Sequence, residues 1–130
     1  MRLVRCRREP SWPFVTGQLM ILGKEGIGEA YFAIASAPEE KESIEFLVRR
    51  GKGMADFLLT VQPGERINCK GPVGRGFPVN VYLGTDLVLA AVGSAIAPLR
   101  GYIEESHPAA GRGQLRRAAH PAAFHLVQPL

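Results

Sequence analysis

Only two cysteines, at positions 6 and 69, occur in the 130 residues. They stand apart from each other and from every histidine, which argues against a metal cluster or a disulfide framework and leaves reduced thiols. The three histidines fall at positions 107, 120 and 125. With none earlier, a Ser–His or Cys–His pair has no base in the body of the chain. Long apolar runs are missing as well. The best, residues 87–92, is the length of a strand and cannot span a bilayer. The opening MRLVRCRRE is basic but lacks the apolar stretch of a secretory signal, although it is compatible with a remnant of an organelle transit peptide.

What is present belongs to a folded domain. Hydrophobic residues make up 46% and charged residues 22%, too apolar for a disordered chain. The net charge of +4 comes largely from Arg112, Arg116 and Arg117, in a stretch from position 106 onward that holds no acid. With those three set aside, the 12 acids nearly balance the remaining bases. No basic stripe or aromatic–basic interleaving follows a phosphate backbone, so no nucleic-acid partner is expected.

Residues 14–83 read as β-structure. An apolar run over 14–22 is broken at Thr16-Gly17-Gln18, and GKEGIG at 23–28 supplies a turn. AYFAIAS at 30–36 predicts a strand too apolar to face water on either side, and IEFLVRR at 44–50 alternates as a half-buried strand. A glycine loop and a short helix at about 55–60 follow, then a turn at Pro63-Gly64 and a strand with Ile67 and Cys69 inward. Short strands at short intervals imply a small antiparallel barrel or sandwich. From position 86 the pattern becomes strand (86–92), compact turn and helix (98–105), the start of a parallel α/β unit. The remainder, 106–130, repeats HPAA, keeps neither a 2 nor a 3.6 period, and reads as an irregular tail of little stabilising value.

The chemistry candidates are few. VGSAI is not a G-x-S-x-G nucleophile elbow, and GPVGRG lacks the Lys-Ser/Thr of a P-loop. The Glu39-Glu40-Lys41-Glu42 run reads as a solvated loop. The turn at Gly93 carries more. A strand entering a small-residue turn, then a Pro-started helix, aims free N–H groups and a helix dipole at one point. Gly93, Ser94, Ala95 and Ala97 leave room there for a pyrophosphate; the bland alternative is an ordinary compact βα turn.

In their order and spacing, FVTGQLMIL, AYFAIAS, FLVRR, GKGMADFLLTVQPGERINCKGPVGRGFP and GSAIAPLRG resemble the ferredoxin–NADP reductase family over roughly residues 12–105. The likeness is to its plant and cyanobacterial oxidoreductase-like branch. The resemblance implies a flavoprotein: an antiparallel Greek-key FAD-binding barrel at 12–83, shortened at its N-terminus, then at 86–105 the start of an NAD(P)-binding domain. Hydride would pass between NAD(P)H and the flavin. The family's R-x-Y-S flavin motif falls on Ala30, Tyr31, Phe32 and Ala33, followed by Ile34, Ala35 and Ser36. Alanines thus stand for the arginine and the serine, while Phe32 keeps an aromatic face for stacking. Val48 and Arg49 fall where the family's backbone runs along the flavin. The G-x-x-S pyrophosphate loop falls near Gly53, Met54, Ala55 and Asp56, and G-T-G-I-A-P on Gly93, Ser94, Ala95, Ile96, Ala97 and Pro98.

By this resemblance the chain is a flavin-dependent electron- or hydride-transfer module in the plastid or the cytoplasm. Nucleotide cofactors are its expected partners and its electron acceptor is unspecified. The alternative is a truncated, non-catalytic β-barrel product serving as a binding module or lacking activity. A yellow protein that releases flavin on denaturation separates the first reading from the second.

Overall fold

The computed structural model describes residues 1–9, 12–82 and 84–106. Five strands and two α-helices organise them: β1 (Arg2–Arg7), β2 (Leu19–Lys24), β3 (Gly28–Ala33), β4 (Ser43–Val48), α1 (Met54–Thr60), β5 (Asn68–Val73) and α2 (Ile96–Ser106). All strand pairing is antiparallel. β1 pairs β4 in one sheet, and β3-β2-β5 form the other. An isolated bridge between Ile34 and Phe46 joins them, so the sheets continue one another without closing into a barrel among the described residues.

The break expected at Thr16-Gly17-Gln18 is real. Gly17 takes φ 89, and a Cβ there would lie 2.9 Å from the Phe77 ring and backbone, so the turn is packed tightly under the loop after β5. The Phe77 N–H donates to the Thr16 carbonyl at 2.7 Å and seals that junction. β2 then buries Met20 and Leu22 while its turn at 25–27 returns the chain as β3.

Two strands depart from the sequence reading. β3 is not buried on both faces: Tyr31 is 66% exposed, because alternate side chains of a strand face opposite ways and nothing among the described residues covers that outer face. β4 alternates as expected, with Ile44, Phe46 and Val48 buried and Ser43 and Leu47 half-buried, except that Glu45 on the outer side is buried too, where Arg5 of β1 and Arg100 of α2 meet it. β1 is a strand that composition hides. Val4 points inward while Leu3, Arg5 and Arg7 point out, and Arg2 reaches across to donate from Nη1 to the Leu59 carbonyl at 2.9 Å. A cation at the C-terminal end of α1 satisfies a carbonyl that the helix itself leaves free.

The core is one cluster: Val4, Phe14, Met20, Leu22, Ile34, Ile44, Phe46, Val48, Met54, Leu58 and Val61, with Ile67 and Cys69 packed against it as expected. Residues 86–92 do not form the expected strand. They run without a strand partner among the described residues, with Val88 78% and Val92 62% exposed. An apolar run becomes a strand only when a neighbour completes its hydrogen bonds. The helix expected at 98–105 is present and longer, and its last residue is Ser106; the rest of the expected tail lies outside the described residues.

Candidate functional site

The residues singled out from sequence gather in two places. In the first, β3 leads through Phe32, half-buried opposite Met20, and Ala33, opposite Leu19, into the buried Ile34, Ala35 and Ser36. This exit is pinned on both sides. Ile34 N–H donates to the Gln18 carbonyl at 3.1 Å, and Ala35 N–H to the Glu45 carbonyl at 2.7 Å. Ser36 Oγ accepts from the Glu45 N–H at 3.1 Å, so its hydroxyl is a strand clasp. Val48 ends β4, buried, with exposed Arg49 and Arg50 beyond it.

The chain then turns at Gly53, whose φ of 57 only glycine adopts freely, and starts α1. α1 packs on β3 and β4, which brings Met54 and Ala55 against the same core as Phe32 and Val48. Asp56 Oδ1 accepts from the Gly51 N–H at 3.3 Å, so this carboxylate is turned back onto the loop. Arg49, Arg50 and Lys52 all lie exposed in the same loop. Phe32, Ile34, Val48, Met54 and Ala55 thus share one core, with Tyr31 on the outer face of β3.

The second place is the turn at Gly93. Gly93 itself takes φ 60, so Ala95 needs no left-handed conformation and accepts its methyl without strain. Ala95 N–H donates to the Val92 carbonyl at 3.2 Å, and Ile96 N–H points to the Gly93 and Ser94 carbonyls. Ala97 is buried, and Pro98 sits in the first turn of α2, where a missing N–H costs nothing. A Cβ at Gly93 would meet no atom of the described residues within 4 Å. The structure does not bring this turn onto Phe32. It brings the middle of α2, by way of Gly101, onto Ser36.

Sequence reasoning missed what joins the two places. Glu45, 4% exposed, is the buried carboxylate of the described residues. It lies 2.6 Å from Arg5 Nη2 and 2.6 Å from Arg100 Nη1. Burial pushes its pKa up, and hydrogen bonds from Arg5 and Arg100 more than offset this, leaving it below the ordinary carboxylate range. Arg100 also meets Glu104 at 2.9 Å. Its partners lie 40 and 55 positions from Glu45 in sequence, a separation that no local pattern registers.

Elsewhere, a solvent-open depression of about 460 Å³ is lined by Arg7, Arg8, Glu9, Lys41 and Glu42. It lies at the opposite end of β4 from Val48, and its lining mixes three cations with two carboxylates. Among the described residues no cluster of His, Cys, Asp and Glu could hold a metal, and no helix is long and apolar enough to cross a membrane. Both cysteines are free thiols. Burial pushes Cys6 up, and burial with the nearby Cys6 pushes Cys69 up to about 11. At pH 7 both stay protonated, the unreactive form. A thiol-reactive disulfide reagent is therefore expected to label the folded protein slowly and the urea-unfolded protein at once at both positions. Rapid labelling of the folded chain at pH 7 would contradict the burial.

No protein-family model matches the chain. Among curated proteins it is 37% identical over 89 residues to the sulfhydrogenase 1 subunit gamma of Pyrococcus furiosus, covering 68% of this chain and 30% of that protein. It is 34% identical over 95 residues to the sulfhydrogenase 2 subunit gamma of the same organism, covering 73% and 33%. Thus it spans about a third of the length of these relatives. Of solved structures, an Amycolatopsis cytochrome P450 reductase superposes with a TM-score of 0.72 at 25% identity, over 97% of this chain and 46% of that one. A ferredoxin NADP+ reductase from Neisseria gonorrhoeae, solved with bound FAD and NADP, gives 0.62 at 26% identity over 78% and 44%. The Plasmodium falciparum ferredoxin–NADP+ reductase (H286K mutant) gives 0.73 at 12% identity over 97% and 53%. The mainly antiparallel architecture described above is thus the fold of the ferredoxin–NADP reductase-like FAD/NAD(P)-binding oxidoreductases.

Proposed function

We propose that the chain is the flavin-holding part of an oxidoreductase of this kind, with FAD as its cofactor and NAD(P)H as the nicotinamide partner at the Gly93 turn. The observation that carries this reading is the convergence of three separate segments, through Phe32 and Ile34, Val48, and Met54 and Ala55, on one core. The residues fit FAD in outline. Phe32 offers an aromatic face for stacking. Gly53 leaves room, since a Cβ there would meet only the Ile27 carbonyl, at 3.9 Å. Exposed Arg49, Arg50 and Lys52 supply positive charge where Ala30 cannot. FAD, when bound, supplies the chemistry of accepting a hydride and passing on electrons. The chain's own residues hold it: aromatic and backbone contacts orient the ring, and buried Val48 and Met54 keep water from one side.

The test is an FAD titration of the purified protein, followed by flavin fluorescence. Saturable uptake is expected, weakened about tenfold by Gly53→Val, which forces a left-handed φ on a β-branched residue. A folded protein that takes up no FAD at high micromolar concentration would overturn the reading. That outcome would favour a non-catalytic binding module. The alanines at 30 and 33, where the family resemblance expects an arginine and a serine, are what support this second reading.

A further inference from the structure

We infer that Glu45 is a positioning residue, which clamps α2 onto the end of β3 and so sets where the Gly93 turn stands relative to Phe32–Ser36; the functional meaning of this distance rests on the flavin reading above. Three observations converge on it.

The first is chemical. A carboxylate taken out of water is costly unless paired, and an apolar side chain would fill the space between β4 and α2 more cheaply. Glu45 is paired twice, and its two guanidiniums come from different elements: Arg5 from β1 and Arg100 from α2. A paired carboxylate with two fixed oxygens defines an orientation, which an apolar contact does not.

The second is its backbone. Through its carbonyl and its N–H, Glu45 holds Ala35 and the Ser36 hydroxyl, the last residues of the candidate flavin segment. One residue therefore grips the flavin segment by its main chain and α2 by its side chain.

The third is the closeness of the helix. Gly101 follows Arg100, and a Cβ there would lie 2.8 Å from the Ser36 carbonyl oxygen, so any side chain would push α2 away. Thr16 Oγ1 and the Glu105 carboxylate make a second tie one turn on. Gly93 lies about 10 Å along the axis from the Arg100 clamp, and a tilt of about 15° there moves the turn by roughly 2–3 Å. Hydride transfer tolerates little error of that size.

The test measures the position directly. Nitroxide labels are placed at Val92→Cys and Gln62→Cys in full-length protein carrying Cys6→Ala and Cys69→Ala, and the distance distribution is read by pulsed electron paramagnetic resonance. A control pair, Glu25→Cys with Gln62→Cys, lies within the β-sheet and α1 region. The expected result is a single narrow distribution for both pairs in the parent. Glu45→Gln should then broaden the Val92 pair, or shift it by about 2 Å or more, with the control pair unchanged. Arg100→Gln, changed at the half-exposed partner, should reproduce this, and the double variant should add nothing. Unchanged Val92 distributions in both single variants would overturn the inference. So would equal broadening of both pairs, which marks a general loss of structure. FAD uptake is measured on the same samples. A parent that takes up no flavin defeats the flavin reading, while the distances still decide the clamp.

Discussion

Phe46→Ala is expected to lower the thermal midpoint by about 15–30 °C and to leave a substantial unfolded fraction at 37 °C. Phe46 is fully buried and the largest such side chain of the core. It faces Val4 on one flank and bridges Ile34 on the other, the point at which the two sheets meet. Removing its ring deletes transfer energy and opens a cavity in both sheets together. Such substitutions cost about 3–5 kcal/mol, a large part of a typical total of about 5–15 kcal/mol. In a domain of this size each kcal/mol moves the midpoint by about 4–8 °C. Circular dichroism on heating reads the effect, with Tyr31→Ala, on the exposed face of β3, as a control expected to stay close to the parent. A fall of less than about 5 °C would mean that the sheets are held together elsewhere.

The second large effect is expected at Arg8. This side chain is 6% exposed, with its guanidinium 4.5 Å from the centre of the Phe14 ring. Nη1 donates to the Pro38 carbonyl at 2.8 Å and also to the Glu40 carbonyl, and Nη2 to the Trp12 carbonyl at 2.9 Å. One planar group thereby ties the segment after β1 to the loop before β4. Arg8→Met keeps the stem but leaves three carbonyls without their donor, and about 2–4 kcal/mol of stability should be lost. Arg8→Lys should recover less than half of it, because a point charge cannot reproduce the fork. Urea unfolding measures both, and cleavage of the 37–42 loop by protease should accelerate in parallel. Midpoints within error of the parent for both variants would show that the loop is held by its own turns.

What the chain revealed before folding depended on how far apart the interacting residues lie. α1 was legible within a residue because its signals, a glycine loop and a short apolar run, are local. β2 was legible as an apolar run before a glycine turn, and β5 from alternating residues after the turn at Pro63-Gly64. β1 was not, since its period is carried by Val4 and Cys6 among four arginines, and a basic opening reads as surface. For Glu45 the local pattern was misleading: in an alternating strand a glutamate reads as solvent-facing, and its burial depends on a helix that begins some fifty residues later. The Gly93 turn was legible as a turn, yet its strand at 86–92 was expected and is absent, because pairing belongs to two segments and only one was in view. Of the residues the resemblance singles out, Phe32, Ile34, Val48, Met54 and Ala55 share one core, whereas the Glu45 contacts are long-range and left no local trace in the sequence.

The run at 86–92 has a bearing on how the protein behaves in concentrated solution. From Leu87 to Ala97 the chain carries no charge and no proline, and Val88 and Val92 present their side chains to water. Edge segments are ordinarily kept from adhering to one another by a lysine, a bulge or a proline, and none interrupts this one. The folding core can thus be sound while colloidal behaviour is governed by a few residues outside it. A single lysine at Val88 is the smallest change that supplies such a guard, and it lies far in sequence from every side chain assigned to the flavin.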